Sequence, residues 1–183
     1  MKIHQLAFAV LLAAGSQVVS ASGFALIEQS GSAQGTSYAG AAASTEDASV
    51  MWFNPAGLTE IQGKQLIVAG HVIAPSSKFT NDGSTFILPN EATITADGKN
   101  DNGATVGFIP NFYWKGDYQD YALGLGVNVP YGQHISYGGD WVGRYAATET
   151  DLKTVNINPN IAKKINDNLS FGFGLNVQYV DVL

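Results

Sequence analysis

The stretch "NLSFGFGLNVQYV", residues 168–180, constrains this chain more than any other. Leu169, Phe171, Phe173, Leu175, Val177 and Tyr179 fall on one side of an extended backbone, and Ser170, Gly172, Gly174, Asn176 and Gln178 on the other. A period of two held this long predicts a strand with one apolar face. "YALGLGVNV" repeats the pattern, with Tyr121, Leu123, Leu125, Val127 and Val129 opposite Ala122, Gly124, Gly126 and Asn128. "TVGFIPNFYW" puts Val106, Phe108, Phe112 and Trp114 on one face, although Ile109 and Tyr113 make the other face less polar. Residues 64–80 and 151–164 read as two further strands with weaker alternation, which makes about five in all.

The connections alternate in length. "KGDYQD" and "INDN" are short, whereas "NDGSTFILPNEATITADGKNDN" and "YGQHISYGGDWVGRY" are long. Short turns at one end and long loops at the other are the pattern of outer-membrane barrels, whose tilted strands run about 9 to 11 residues. A soluble β-sandwich also gives alternating strands and hairpins. The second faces separate the two readings: they carry Gly, Ala, Ser, Asn and Gln, as a crowded polar lumen would, and not the Lys, Glu and Thr of a wet sheet surface. Aromatics gather near the short turn (Tyr113, Trp114, Tyr118, Tyr121) and near the long loop (Tyr131, Tyr137, Trp141, Tyr145), where a barrel has its interfacial girdles. The expected fold is therefore all-β, a transmembrane antiparallel β-barrel. Charged residues make up only 13% of the chain against the usual quarter or so, in keeping with a surface not wholly in water.

The chain opens with Lys2, an apolar run from Leu6 to Ala14, and Val19-Ser20-Ala21, the elements of a cleaved secretory leader over residues 1–21. No later segment approaches the ~18 apolar residues that a spanning helix needs. Cysteine is absent, so an exported fold must be held by packing and backbone pairing, not by disulfides. From residue 22 to 62 the sequence is rich in small residues without sustained alternation. Within it, "SVMWFNPAGLTEI" places Asn54 as a helix N-cap and Pro55 as the first helical residue. Ser44 with Asp47 fits a capping box for the preceding turn, and Trp52 and Phe53 need a surface to bury against.

Little here points to catalysis. His4 leaves with the leader, and His71 and His134 stand in no metal-spaced cluster and beside no Gly-x-Ser-x-Gly elbow. Gly124-x-Gly126 and Gly172-x-Gly174 are strand glycines with no helix after them, which removes a phosphate-binding reading. Once Lys2 is set aside, fifteen acidic residues face eight basic ones, with no basic cluster, so nucleic acid is not an expected partner. Asp140, Glu149 and Asp151 lie in or beside the second long loop, where solvation is the default and a divalent-cation bridge to lipopolysaccharide is the alternative. Arg144 is expected to pair with a neighbouring acidic loop residue, with lipid phosphate as the alternative partner. No catalytic residue, metal site or cofactor is expected.

About five strands fall short of the eight or so that close a bacterial barrel, and open edges do not stand in lipid. The sequence is therefore expected to be the N-terminal part of a longer protein. An exported chain that begins "SGFALIEQSGSAQGTSYAGAAAS", continues to "NPAG", and then carries "WVGRY" and "DLKTVNINPNIAKKINDNLSFGFGLN" resembles the FadL/TodX family of outer-membrane transporters for long-chain fatty acids and other hydrophobic molecules. The resemblance runs from Ser22 to Leu183. It implies a fourteen-stranded, monomeric barrel with residues 22–62 as an N-terminal hatch and residues 63–183 as the first five strands.

By the same resemblance Asn54, Pro55 and Ala56 are the hatch motif, and Gly23, Phe24 and Leu26 lie in the lumen near the ligand. Ligand leaves sideways through a gap at a kink in the third strand, which maps onto Pro130, Tyr131 and Gly132. That step has a local counterpart, because proline cannot donate to the ladder and glycine weakens it. Pro130 departs from the Asn that family members often have there. The implied partners are hydrophobic small molecules, long-chain fatty acids or aromatic hydrocarbons, together with outer-membrane lipid and lipopolysaccharide. A structural or adhesive barrel working through its long loops is the alternative, and a barrel enzyme using His71 or His134 a third reading.

Overall fold

The computed structural model describes residues 23–91 and 93–183; the expected leader lies outside them. Among the described residues three short helices come first: α1 (Gly31–Gln34), α2 (Val50–Phe53) and a 3-10 helix (Pro55–Glu60). Strands follow to the end of the chain. β1 (Gln65–Ile73) leads through the short β2 (Lys78–Phe79), β3 (Thr85–Ile87), β4 (Thr93–Thr95) and β5 (Asp101–Asn102) to the long β6 (Gly107–Tyr118). Then come β7 (Tyr121–Asn128), β8 (Gly132–Ser136), β9 (Glu149–Asn166), β10 (Leu169–Gly174) and β11 (Val177–Val182).

The main sheet is antiparallel in the order β1-β6-β7-β9-β10, with β8 and β11 also paired to β9. β7 with β8, and β10 with β11, are thus the two halves of broken strands on either side of the continuous β9. The five expected strands are all present in this meander, but some limits differ. The second strand runs on to Tyr118, because Lys115, Asp117 and Tyr118 pair with Gly124, Ala122 and Tyr121 in register. Part of the second long loop is the strand β8. The first long loop holds the small sheets β2–β5 and β3–β4. The fifth strand pauses at Leu175 and Asn176 opposite Pro159, whose ring nitrogen has no proton to give; Pro159 still accepts from Leu175 N at 3.0 Å.

The two faces of the sheet differ as the alternation predicts. One is bare and apolar: Val68, Val72, Phe108, Phe171, Phe173 and Tyr179 are all exposed. So large an open apolar surface is the outside of a β-barrel in lipid, where the solvent is hydrocarbon. Trp114, Tyr118 and Tyr121 stand on this face beside a short turn, as interfacial aromatics do. Tyr113 does not: it is fully buried on the opposite, inner face, because successive residues of a strand alternate sides.

The inner face is covered by residues 23–61. Ala48, Val50, Met51, Leu58 and Ile61 pack with Tyr113, Ala122 and Ala162, and Trp52 closes the edge of this cluster. Phe53 turns the other way, onto Tyr38, with ring centroids 6.3 Å apart. The helices here are short because capping side chains, not long hydrogen-bond ladders, set them. Ser30 Oγ accepts from Ala33 N, and Asp47 Oδ1 accepts from Ser49 N at 2.8 Å. Asp47 therefore turns to Ser49 and makes no capping box with Ser44. Asn54 ends α2 through its N–H to Val50 O and starts the 3-10 helix through Oδ1, which accepts from Ala56 N at 3.1 Å, with Pro55 next in line.

Small inner-face residues allow a close approach. A Cβ on Gly172 would lie 2.6 Å from Pro55 C and 2.7 Å from Ala56 Cα, so Asn54-Pro55-Ala56 rests backbone to backbone on the fifth strand. Thr59 Oγ1 donates to Ser170 Oγ at 2.8 Å beside it. At the other side of the 3-10 helix stands Lys115, 1% exposed. Its ammonium gives its protons to Ile61 O (2.7 Å), Gly63 O (2.9 Å) and Asp117 Oδ1 (2.5 Å).

The loops are tied to each other beyond the sheet. Arg144 donates to Asp97 Oδ1 and to Asp97 O, both at 2.7 Å, the acidic pairing expected for it. That hydrogen bond holds the Asp97 carboxyl below the usual carboxylate range. Lys99 pairs with Asp140, and Tyr137 stacks on Trp141 at 4.1 Å.

Replacing Lys115 by Met keeps the volume and removes all three bonds, leaving the buried Ile61 carbonyl without this donor. The expected cost is about 2–3 kcal/mol. Denaturant unfolding in detergent micelles should register it as a lower midpoint at unchanged slope.

Candidate functional site: an opening in the sheet wall

The last rung between β6 and β7 joins Phe112 to Val127. Beyond it the strands part. β6 continues from residue 111 back to 107 paired with β1 alone, and the third strand passes through Val129, Pro130 and Tyr131 before resuming as β8, paired with β9 alone. The far end is drawn together again by a bridge between Ala104 and Ile135, by Ser136 N donating to Gly103 O at 2.8 Å, and by Thr105 Oγ1 donating to His134 O at 2.9 Å. What lies between is a bounded opening, continuous with a cavity of about 710 Å³.

The break in the third strand is a bulge. Asn128 pairs with Asn156 and Gly132 with Lys153, so three residues stand opposite two. Pro130 has no N–H to offer there. Tyr131 is held by a side chain instead: Thr154 Oγ1 accepts from Tyr131 N at 3.0 Å and donates to Tyr131 O at 2.5 Å. The remaining groups are met from the inner side by the start of the chain. Leu26 N donates to Pro130 O at 2.9 Å, Gly132 N donates to Phe24 O at 3.2 Å, and Ala25 bridges to Tyr131. Backbone groups near lipid must be satisfied in some such way.

The cavity is bordered by Val106, Phe108 and Ile109 from the β6 side, by Tyr131 and Ile135 from the β8 side, and by Leu26 within. Its lining is mainly apolar, and its size is that of pockets for small organic ligands. Polar groups collect at one edge, where Asp151 pairs with Lys153 and lies 3.6 Å from His134 Nδ1. His71 is elsewhere, with Nδ1 3.0 Å from Gln34 Oε1. Among the described residues no three acidic or histidine side chains group as a metal site.

Of the residues singled out from sequence, Leu26, Tyr131 and Gly132 line the cavity, and Phe24 and Pro130 reach its border through their carbonyls. Gly23 is exposed and not part of the lining. Asn54, Pro55 and Ala56 do not join this group; they sit on Gly172, on the fifth strand. Sequence reasoning missed Thr154 and Gln29, whose roles arise from partners far away in the chain. It also missed Lys115 as an inner-face cation, although its spacing from Tyr113 carries that signal.

The family described as "Outer membrane protein transport protein (OMPP1/FadL/TodX)" matches residues 12–183 of this chain. Outer membrane protein P1 of Haemophilus influenzae is 34% identical over 181 residues, 95% of this chain and 39% of that protein. The long-chain fatty acid transport protein of Escherichia coli K12 is 28% identical over 174 residues, 94% of this chain and 37% of that protein. A crystal structure of a Pseudomonas aeruginosa FadL homologue superposes with a TM-score of 0.66 at 21% identity, over 88% of this chain and 38% of that one. The chain thus spans about two fifths of the length of the curated relatives it matches.

Replacing Thr154 by Val leaves the shape of the bulge and removes the one hydroxyl that serves both Tyr131 groups. Amide hydrogen exchange at Tyr131 should quicken by about tenfold or more, the equivalent of one lost hydrogen bond, while exchange at Val155 stays as it was.

Proposed function

This chain belongs to the OMPP1/FadL/TodX family of outer membrane transport proteins, and on that premise we propose that the complete protein carries hydrophobic compounds, long-chain fatty acids first among them, into the outer membrane. The observation that carries this reading is the bounded opening between β6 and β8, with its apolar cavity. A ligand held inside the barrel would leave sideways through it, so that its chain passes from apolar cavity to hydrocarbon without crossing water. The free-energy gain per buried methylene, about 0.8 kcal/mol, then never has to be given up on the way.

In this reading residues 1–21 are a cleaved leader, residues 22–62 are the hatch, and residues 63–183 are the first part of a monomeric barrel. Gly23, Phe24 and Leu26 form the part of the hatch nearest the ligand. Asn54, Pro55 and Ala56 anchor it from below, with Gly172 as their seat. Pro130, Tyr131 and Gly132 are the kink that keeps the opening unpaired. The exposed loops face outer-membrane lipopolysaccharide. The fatty acid assignment draws on a relative named for that activity, and the apolar lining suits aromatic hydrocarbons as well.

The test joins the two sides of the opening. Cysteines placed at Val106 and Gln133 of the complete protein and bridged by a short, cleavable cross-linker should reduce labelled oleate uptake to that of cells lacking the protein, and cleavage should restore it. Uptake that continues through the bridged protein would sink the lateral route. Separately, replacing Asn54 and Pro55 by Ala should raise entry of large hydrophilic antibiotics while barrel assembly stays normal.

A further inference from the structure

Gln29 lies where β6 and β7 part, and it is 1% exposed. Its carboxamide is fully engaged there. Nε2 donates to Leu26 O and to Val129 O, both at 2.9 Å, and Oε1 accepts from Asn128 Nδ2 at 2.8 Å. Its backbone carbonyl accepts from Tyr113 OH at 2.6 Å. One residue of the N-terminal segment thus holds the second strand through Tyr113 and the third through Asn128 and Val129. Asn128 and Val129 stand immediately past the last β6–β7 rung at Phe112 and Val127, and Tyr113 stands in the rung just before it, opposite Gly126.

We infer that Gln29 is the strut of the opening: it stops the two strands from unzipping past Phe112 and Val127, and it links the width of the opening to the position of Phe24–Leu26. The chemistry follows from its bonds. Both amide protons and one oxygen lone pair are used, and the Val129 carbonyl has its hydrogen bond from this side chain. If the N-terminal segment moves, Val129 O loses its partner and Asn128 Nδ2 loses one of its two. A buried carbonyl and a buried amide cannot stay so, and the strands must shift to find others. Asn128 transmits the shift: it donates to Tyr113 OH at 3.3 Å, and its Oδ1 accepts from Asn156 Nδ2 at 3.0 Å, which in turn donates to Asn176 Oδ1 at 2.9 Å. Four neighbouring strands are so connected to one carboxamide. No shorter side chain, and no apolar one of equal length, reproduces these contacts.

This inference rests on the reading of the opening as an exit only for its meaning; the strut itself is tested by distance. Spin labels on cysteines at Val106 and Gln133 of the complete protein, in detergent, report the width of the opening by pulsed electron resonance. Gln29→Leu and Gln29→Asn should each add a longer-distance population, raised roughly tenfold over wild type, the factor that one lost buried hydrogen bond represents. Thr59→Val, which loosens the same segment at the fifth strand, should leave the distribution unchanged. Correct assembly is checked by heat-modifiable migration in gels, and if the Leu variant does not assemble, the Asn variant decides. Distances in the Gln29 variants that match wild type, or a Thr59→Val shift of equal size, would overturn the strut. Added oleate should lengthen the wild-type distance and leave Gln29→Leu where it is. A Gln29→Leu shift with no oleate response in wild type would support the strut and count instead against the transport reading.

Discussion

Every departure from a regular ladder in this sheet has to be settled inside the protein, because one face looks onto hydrocarbon. Where β6 and the third strand separate beyond Phe112 and Val127, peptide groups on both sides lose their natural partners. Proline removes one donor at position 130, Thr154 serves Tyr131, and the N-terminal segment supplies the rest through Phe24 O and Leu26 N. The wall can be open at this point because the N-terminal segment stands behind it. Its placement is thus a hydrogen-bonding requirement as much as a matter of filling space.

Two kinds of contact hold that segment. Toward the short-turn end the contact is apolar, with Met51, Leu58 and Ile61 against Tyr113, Ala122 and Ala162. Toward the opening it is made of carboxamides, Gln29, Asn111, Asn128 and Asn156, and these bond mostly to backbone oxygens and to each other. The difference suits the two ends. Apolar packing loses a graded amount when it slides, whereas a carboxamide network is whole or broken. The end proposed to stay still has the first kind of contact and the end proposed to move has the second.

Much of this was legible in the chain before folding. The alternation of Leu169 to Tyr179 and of Tyr121 to Val129 gave strands with the correct outward faces, and the glycines and asparagines on the other side marked the inner one. Pro130 was readable as a break because the missing N–H is a property of the residue itself. Other features were not readable, for a common reason. Lys115 looks like a turn residue until its strand is extended by cross-strand pairing. Gln29 and Thr154 are ordinary polar residues until the fold brings Val129 and Tyr131 beside them. The strand β8 was hidden because its pairing depends on β9 and not on its own weak alternation. Local rules read what a residue does to its own backbone; they do not read which distant backbone will need it.

The seat at Gly172 carries a consequence for how such a protein is built. Pro55 and Ala56 touch the fifth strand at a point where no side chain intervenes, more than a hundred positions later in synthesis. Closing so long a loop adds little entropy beyond that of a shorter one, since the cost grows only with the logarithm of length. A contact that joins one of the earliest described segments to one of the last strands thus costs little more than one between much nearer neighbours, and it depends on position 172 alone: any side chain there would push the two backbones apart.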